Sequence, residues 1–253
     1  MKTPLRVVFL GTGAGSLTDR MGLAILLMVG QEYLLVDAGY GANVQLVRAG
    51  IDLCRVKAIL VTHHHIDHCG GLPSIFHDLK AHGCLEPITI YVPPEAEEPV
   101  KTLIRLFGPR IPPPHRIEVV EAGQRIEVGA YKASFMEAVH PLQTLSPEIS
   151  VAGLRILYSS DTAPYPEFKS RAKGADLCIH EATLPDHMAE LSSKFGHSTV
   201  SQAIKTCKDS RRTALVHLTT LSESQLASLA TGENIIVPQD LDELLVSSPR
   251  SSF

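Results

Sequence analysis

Four side chains of the kind that bind metal ions stand within six consecutive residues of this chain. His63, His65, Asp67 and His68 directly follow the apolar run 58–62. Alternate side chains of an extended strand point the same way, so His63 and His65 are placed to bind one ion together. If the chain then turns into a helix, Asp67 and His68 face a second ion nearby. Imidazole and carboxylate suit zinc, with iron or manganese as alternatives, so the pattern indicates a metal-dependent hydrolase.

Three further residues supply the ligands that a pair of ions still lacks. His140, Asp161 and His217 each stand directly after an apolar run. A carboxylate has two acceptor oxygens and can therefore bridge two ions. The sequence thus predicts one site of seven side chains at strand ends, with Asp161 as the bridge.

The elements that position these residues have both strand and helix patterns. Strand-like runs occur at 5–10, 23–29, 33–36, 58–61, 88–92, 117–120, 131–139, 154–158, 176–179 and 213–216. Helical patterns occur at 42–49, 72–81, 95–106, 199–208, 223–230 and 240–246, with Ser198 and Ser222 as available caps. Asp37 and Asp161 end corresponding strands in a weak internal repeat. This order favours an α/β fold with mixed sheets, a four-layer αββα sandwich of two related halves.

Length, charge and cysteine content limit the class of protein. At 253 residues the chain is long enough for a substantial core, and we expect one hydrolase domain over residues 1–253. The net charge of -4 lacks the basic excess of a dedicated nucleic-acid-binding protein. Five cysteines without C-x-x-C spacing argue against a disulfide framework and favour reduced thiols in the cytoplasm. No apolar stretch is long enough to cross a bilayer, so we expect no membrane partner.

The glycine-rich segment 11–16, with Asp37 ending a later strand, superficially resembles a dinucleotide-binding fingerprint. That motif needs a helix directly after the glycines, whereas another strand-like run begins at Leu23. We therefore predict that the chain does not bind NAD and that Asp37 orients a ligand histidine. The proline-rich segment 108–114 is expected to be a loop, as a lid or a plain connector.

The complete motif set resembles the metallo-β-lactamase superfamily, whose His-x-His-x-Asp-His motif is followed by a distant His, an Asp and a final His. The resemblance runs nearly end to end and is nearest to the ribonuclease Z branch. Residues 9–16 (FLGTGAGS), 160–162 (SDT), 180–183 (HEAT) and 196–199 (GHST) look like motifs of that branch. The HEAT and GHST motifs are specific to phosphodiesterases of the superfamily, so they indicate the reaction more sharply than the metal tetrad.

The resemblance implies two Zn²⁺ ions, or Mn²⁺ or Fe²⁺ in their place. The ligands divide into three for the first ion, three for the second and one shared: His63, His65 and His140; Asp67, His68 and His217; and Asp161. Hydroxide activated by both ions would attack phosphorus in line. Glu181 and His197 would orient each other and assist the leaving oxygen. The predicted catalytic residues are accordingly Asp67, Glu181 and His197.

One departure from the ribonuclease Z pattern bears on the substrate. The usual enzyme carries a long arm for transfer RNA between the residues that correspond to His140 and Asp161, which here are only 21 residues apart. The chain therefore has no room for the arm, and a small-molecule phosphodiester or an exposed RNA 3′ end is favoured. Two other reactions of the superfamily stay open: a lactonase, or a persulfide dioxygenase with a single iron. A homodimer is expected by the same resemblance.

Overall fold

Residues 4–15, 18–228 and 234–247 are described by the computed structural model of the chain. The strands within these ranges, β1 to β14 in chain order, are Leu5–Gly11, Ala24–Val29, Glu32–Val36, Val56–Leu60, Ile88–Val92, His115–Val119, Arg125–Val128, Tyr131–Glu137, Leu145–Val151, Leu154–Tyr158, Leu177–Glu181, Thr213–Val216, Ile235–Ile236 and Asp242–Val246. The α-helices α1 to α8 of the same ranges are Ala42–Arg48, Ile66–Cys69, Leu72–Ala81, Glu97–Phe107, Pro166–Ala172, Ser192–Phe195, Val200–Cys207 and Thr220–Ser228. Short 3₁₀ turns lie at Leu53–Arg55, Pro94–Ala96 and Asp186–Leu191.

Two mixed sheets are packed face to face. The strand orders are β14-β1-β2-β3-β4-β5-β6 and β7-β8-β9-β10-β11-β12-β13. Strands β3 to β6 are mutually parallel, as are β10 to β13, and every other pairing is antiparallel. The two halves therefore share one strand pattern, as the weak repeat in the sequence indicated.

Alternation along the strands builds four layers. Phe9 and Leu60 of the first sheet meet Phe135 and Ile156 of the second in a common core. The alternate residues face outward and pack against helices: on the first sheet against α1, α3 and α4, on the second against α5, α7 and α8. Because both faces of the central strands are covered, their sequences are mostly apolar. The predicted αββα sandwich with mixed sheets is confirmed.

Most predicted elements are present, and the largest error lies near the C-terminus. Residues 240–246, predicted as a helix, form a turn and strand β14, which pairs antiparallel with β1. Edge pairing satisfies the backbone groups of this segment, and local periodicity carries no sign of that partner. Strands β7 and β9 were not predicted. Helix α8 is described over Thr220–Ser228, and the last two positions of the predicted 223–230 helix lie outside the described residues.

Helix capping also differs from the sequence-based expectation. Thr199, rather than Ser198, caps α7, in a capping box with Gln202. Ser222 lies inside α8 and exchanges hydrogen bonds with Thr219. Among the helices of the described ranges, none is long and apolar enough to cross a membrane.

The expectation of reduced thiols is wrong for four of the five cysteines. Cys54 pairs with Cys84, and Cys178 pairs with Cys207, with Cα separations of 5.2 and 6.2 Å. Partners 30 and 29 residues apart give no local spacing signal, and only the fold brings them together. Cys69, beside the metal-binding motif, is free and buried, and burial raises the pKa of its thiol to about 12.

Candidate metal centre

All seven predicted metal ligands lie at one edge of the sandwich, beyond the carboxyl ends of strands from both sheets. His63 follows β4 and His140 follows β8, while Asp161 and His217 follow β10 and β12. Strand ends of the two sheets meet there, which is a common place for sites in α/β folds. The short helix α2 then carries Asp67 and His68 round to the same edge.

One group of side chains consists of His63, His65, His140 and Asp161, whose ligand atoms all lie within 4.8 Å of one another. His65 Nδ1 lies 3.0 Å from His63 Nε2 and 3.4 Å from His140 Nε2. His63 Nε2 lies 3.6 Å from Asp161 Oδ2. Three imidazole nitrogens and one carboxylate oxygen thus converge on one small volume.

A second group consists of Asp67, His68 and His217. His217 Nε2 lies 3.2 Å from His68 Nε2 and 3.1 Å from Asp67 Oδ2. Asp161 Oδ1 lies 3.2 Å from His68 Nε2 and 3.4 Å from His217 Nε2. Asp161 therefore presents Oδ2 to the first group and Oδ1 to the second, as a bridging carboxylate must.

These residues fit a pair of divalent cations. Asp161 Oδ1 is a buried oxygen that accepts no hydrogen bond. Burial alone would disfavour the ionised form of this carboxyl, so a bound cation would compensate its charge. Imidazole and carboxylate are ligands suited to zinc, manganese or iron. A fourth-position ligand for each group comes from the shared carboxylate, so neither group needs residues from elsewhere in the chain.

Buried acceptors fix the orientation of the histidine rings. His68 Nδ1 donates to Asp37 Oδ2 at 2.8 Å, and Asp37 also accepts the amide and hydroxyl of Thr62 at 2.8 and 3.0 Å. Tyr158 donates to the same carboxylate at 3.1 Å. With Nδ1 carrying the proton, the lone pair of His68 Nε2 is directed into the site.

Two further rings are held in the same way, by groups that sequence reasoning missed. His140 Nδ1 donates to the carbonyl oxygen of Gly196 at 3.0 Å. The Thr183 hydroxyl donates to Glu181 at 2.6 Å, so it accepts from His217 Nδ1 at 2.7 Å. Thr183 belongs to the HEAT motif, which was the one available signal. A backbone carbonyl such as that of Gly196 leaves no trace in sequence.

The electrostatics favour ionised carboxylates, neutral imidazoles at His63 and His140, and a protonated imidazole at His68. Burial lowers the pKa of His63 and of His140. Burial alone would raise the pKa of Asp161, but the imidazoles of His217 and His68 hold it well below its usual range. Burial likewise opposes charge on His68, yet the carboxylates of Asp161 and Asp37 raise its pKa well above the ordinary value. A cation that binds His68 must therefore displace a proton.

Glu181 and His197 form a hydrogen-bonded pair beside these ligands. Glu181 is fully buried, and its Oε1 accepts from His197 Nδ1 at 2.9 Å and from the amides of Thr162 and Ser198 at 3.0 Å. A ligand atom of His197 lies within 4.8 Å of those of Asp161 and His217. Burial opposes charge on His197, but the charge and hydrogen bond of Glu181 raise its pKa to about 9. The ring of His197 therefore favours its protonated form, which the Glu181 carboxylate stabilises.

The glycines at the start of the chain serve close packing around α2. A Cβ on Gly39 would lie 2.1 Å from the carbonyl oxygen of Asp67, and one on Gly15 would lie 2.9 Å from Asp67 Oδ2. Gly15 also donates its amide to that oxygen at 2.7 Å. The glycine-rich segment thus lets its backbone approach the metal-binding side chains closely. This close approach explains why its sequence resembles a nucleotide-binding loop although no helix follows it.

Backbone conformation at the site is unusual. Three of its non-glycine residues, Asp37, Ser160 and His217, have φ between 52° and 57°. Each stands at or just after the end of a strand and turns its neighbours towards the centre. Such left-handed conformations are costly for residues with a Cβ and cluster at functional sites.

Fold and site together define a metal-dependent hydrolase. The family model described as a beta-lactamase superfamily domain matches residues 32–218, a range that includes all seven candidate ligands. The chain therefore belongs to the metallo-β-lactamase superfamily, and it is similar to proteins named ribonuclease Z.

Curated relatives are similar over most of their length. Ribonuclease Z of Methanosarcina mazei is 26% identical over 299 residues, which cover 96% of this chain and 98% of the relative. Ribonuclease BN of Cronobacter sakazakii is 25% identical over 84% of this chain and 88% of the relative. The first alignment is longer than the 253 residues of this chain, so the archaeal protein has residues without a counterpart here.

Solved structures share the fold. The metallo-beta-lactamase fold protein YhfI of Bacillus subtilis superposes with a TM-score of 0.82 at 18% identity, covering 96% of this chain and 100% of its own. The short form of human tRNase Z gives a TM-score of 0.78 at 23% identity with the same coverages. At these identities the likeness concerns architecture alone.

Proposed function

We propose that the protein is a phosphodiesterase that works with two divalent metal ions, for which zinc is the expected metal. The observation that carries this proposal is the Glu181–His197 pair, buried beside seven convergent metal-binding side chains. Similarity to proteins named ribonuclease Z and ribonuclease BN supports a phosphodiester substrate. When bound, the cations would supply Lewis acidity, which acidifies a water molecule and neutralises charge on phosphoryl oxygens.

Each ion would be held by residues from both halves of the fold. The first would be bound by His63, His65 and His140, the second by Asp67, His68 and His217, and both by Asp161. Asp37, Thr62 and Thr183 keep the rings in position. The Asp67 carboxyl is ionised, since hydrogen bonding and the charges of His217 and His68 outweigh burial and lower its pKa. We assign this carboxylate to accept the proton of the attacking water.

His197 would protonate the leaving oxygen. Glu181 holds the Nδ1 proton of the ring, so Nε2 is the atom left to donate towards the substrate. Departure of an alkoxide or a ribose oxygen gains from such a donor, because the unprotonated oxygen is a poor leaving group.

The segment between His140 and Asp161 restricts the substrate. Strands β9 and β10 occupy most of it and are joined by Ala152 and Gly153, whose φ angles of 54° and 80° are those of a tight hairpin turn. No arm is inserted there. We therefore expect small phosphodiesters, or an exposed RNA 3′ end, to be cleaved better than precursor transfer RNA.

A hydrolysis panel tests the proposal. Purified protein with added Zn²⁺ or Mn²⁺ is offered bis-p-nitrophenyl phosphate, a cyclic nucleotide, precursor transfer RNA and an acyl-homoserine lactone, and bound metal is counted by elemental analysis. We expect phosphodiester cleavage and two zinc or manganese ions per chain. Activity on the lactone alone, or a single iron ion with persulfide oxidation, would contradict the proposal.

Two substitutions separate binding from turnover. His197→Ala should retain metal and lose activity by about 10²-fold or more, the usual contribution of a general acid. Asp161→Ala should lose metal, because the shared ligand is gone. His187→Ala, at an exposed histidine of the neighbouring 3₁₀ turn, is the matched control. An unchanged rate in His197→Ala would remove its assigned role.

A further inference from the structure

A cationic surface without acidic residues lies at the end of α4 and along the proline-rich loop that follows. Residues 99–117 contain one lysine and three arginines but no aspartate or glutamate, in a chain whose net charge is -4. Lys101, Arg105 and Arg110 line a groove of about 240 Å³ whose floor includes Ile104 and Ile117. We call this the α4 groove.

The arginines of this segment have no carboxylate partners among the described residues. Arg105, Arg110 and Arg116 are exposed and form no ion pair there, whereas six other arginines are ion-paired: Arg6, Arg20, Arg55, Arg155, Arg171 and Arg211. Lys101 differs, because Glu97 and Glu98 bind its ammonium at 2.8 and 2.9 Å. Arg105 and Arg110 line the groove, so two guanidinium groups there are free to bind an anionic partner. Arg116 stands between the groove-lining His115 and Ile117 on β6 and points to the other face of that strand.

A second groove shows that this arrangement is not general for the surface. It lies on the outer face of β7, β8 and β9, and Arg125 and Lys132 there alternate with Glu127 and Glu148. Arg171 also lines it, and two of its three basic residues are ion-paired within the groove: Lys132 with Glu127 at 2.8 Å and Arg171 with Glu148 at 2.9 Å. Of these two grooves, only the α4 groove is lined by basic residues without acidic ones.

Large apolar side chains flank the free arginines. Leu106, Phe107 and Ile111 are 63%, 66% and 71% exposed, the last two on either side of the turn at Gly108 and Pro109. Alternating guanidinium groups and an exposed aromatic ring are what proteins use to hold a single strand of nucleic acid, with phosphates on arginine and bases on apolar and aromatic faces. The prolines keep the loop rigid, so little conformational freedom is lost on binding.

We propose that the α4 groove binds single-stranded RNA at a distance from the metal centre. The inference rests on the proposed function, because the groove would bind the part of an RNA substrate that lies away from the cleaved bond. The chain has no arm that could do so. Helix α4 begins close to the centre, where Glu95 and Gln143 exchange hydrogen bonds three residues from His140. Arg105 follows the first residue of α4, Glu97, by eight positions, which places it about 12 Å further along the helix, roughly the length of three to four stacked nucleotides.

Binding of an oligonucleotide tests this surface directly. Fluorescence anisotropy is measured for a labelled oligouridylate of about 12 nucleotides with the metal-loaded protein, and RNA integrity is checked afterwards on a gel. The double variant Arg105→Ala, Arg110→Ala should weaken binding at least about tenfold and lower the slope of log affinity against log salt by about 1.4, for two lost phosphate contacts. Phe107→Ala should weaken binding about fivefold or more.

The matched control removes two exposed arginines elsewhere, Arg125→Ala with Arg212→Ala, and should leave affinity within about twofold. Hydrolysis of bis-p-nitrophenyl phosphate, which is too small to reach the groove, should be unchanged in all variants. Equal losses in test and control variants would overturn the proposal. Unchanged RNA affinity in the double variant would overturn it as well. If that variant instead loses binding to phosphatidylserine vesicles, or changes its oligomeric state, the surface serves a membrane or a second copy of the chain. If binding depends on these residues but the small diester is not hydrolysed, the surface stands and the proposed reaction fails.

Discussion

The Glu181→Gln substitution tests the buried pair most directly, because it keeps the shape of the side chain and removes its charge. Glu181 Oε1 accepts three hydrogen bonds, and Oε2 accepts the amide and hydroxyl of Thr183 at 3.0 and 2.6 Å. Whichever oxygen becomes an amide group, at least one buried backbone N–H then faces another donor. An unsatisfied buried group costs about 1–3 kcal/mol, and loss of the charged hydrogen bond to His197 adds a similar amount.

The pH dependence follows from the two pKa shifts. The pKa of His197 rises from 6.5 to about 9, so its contribution to stability is complete below pH 6.5 and is lost as pH rises through about 9. One pKa unit corresponds to about 1.4 kcal/mol, so the contribution of His197 is about 3 kcal/mol. The His197 side chain is only 19% exposed, so solvent screens this interaction little. The pKa of Glu181 is lowered, because hydrogen bonding and the charge of His197 outweigh burial, so its contribution is present above pH 4.5 and lost in acid.

We therefore expect the free energy of unfolding of Glu181→Gln to lie about 3 kcal/mol or more below wild type between pH 4.5 and 6.5. The difference should narrow as pH approaches 9, and the alkaline limb of the kcat profile should move to lower pH. Guanidinium unfolding across this range and initial rates with a phosphodiester measure both effects. Glu190→Gln, at an exposed position, is the control. A constant difference across the range, or an unmoved alkaline limb, would refute the reasoning.

Two further substitutions test how the centre is held together. Asp37→Asn should lower metal affinity about 10–100-fold in a competition titration, because the new amide cannot accept from His68, Tyr158 and Thr62 together; unchanged affinity would show that ring orientation does not depend on Asp37. Gly39→Ala should destabilise the fold by about 1–3 kcal/mol and reduce bound metal, since its Cβ would lie 2.1 Å from the Asp67 carbonyl oxygen. Gly50→Ala is the control for metal content: its φ of 63° makes alanine costly there too, but the new Cβ meets nothing within 4 Å, so bound metal should be retained.

Sequence periodicity was sufficient to predict the strands and helices of the core, but not strands β7 and β14 at the edges of the two sheets. Strands such as β1 and β4 are apolar on both faces, so they are identified by composition alone. Strand β7 is largely exposed, with a short alternating sequence, and β14 has a pattern that also suits a helix. The conformation of β14 is decided by pairing with β1, which is far away in sequence and outside any local window. β7 pairs with the adjacent β8 across Gly129 and Ala130, and its short, exposed sequence carries too little apolar signal to show this hairpin.

Residue types and order determined which side chains this protein offers for chemistry. The spacing of His63, His65, Asp67 and His68 after a strand indicated metal binding, and the HEAT and GHST motifs indicated Glu181 and His197. A motif does not say which way a residue points. On β11, adjacent side chains alternate: Glu181 reaches the centre, while His180 packs against the ring of Phe168 on the other face.

Tertiary structure alone decided that these side chains form one centre. Asp161 divides its two oxygens between groups that are separated by up to 154 positions in sequence, and Thr183 links Glu181 to His217. It also decided which cysteines pair, and that Arg105 and Arg110 have no carboxylate partner among the described residues. Distances between strand ends are set by packing of two sheets on a shared core, and a linear pattern contains no information on that packing.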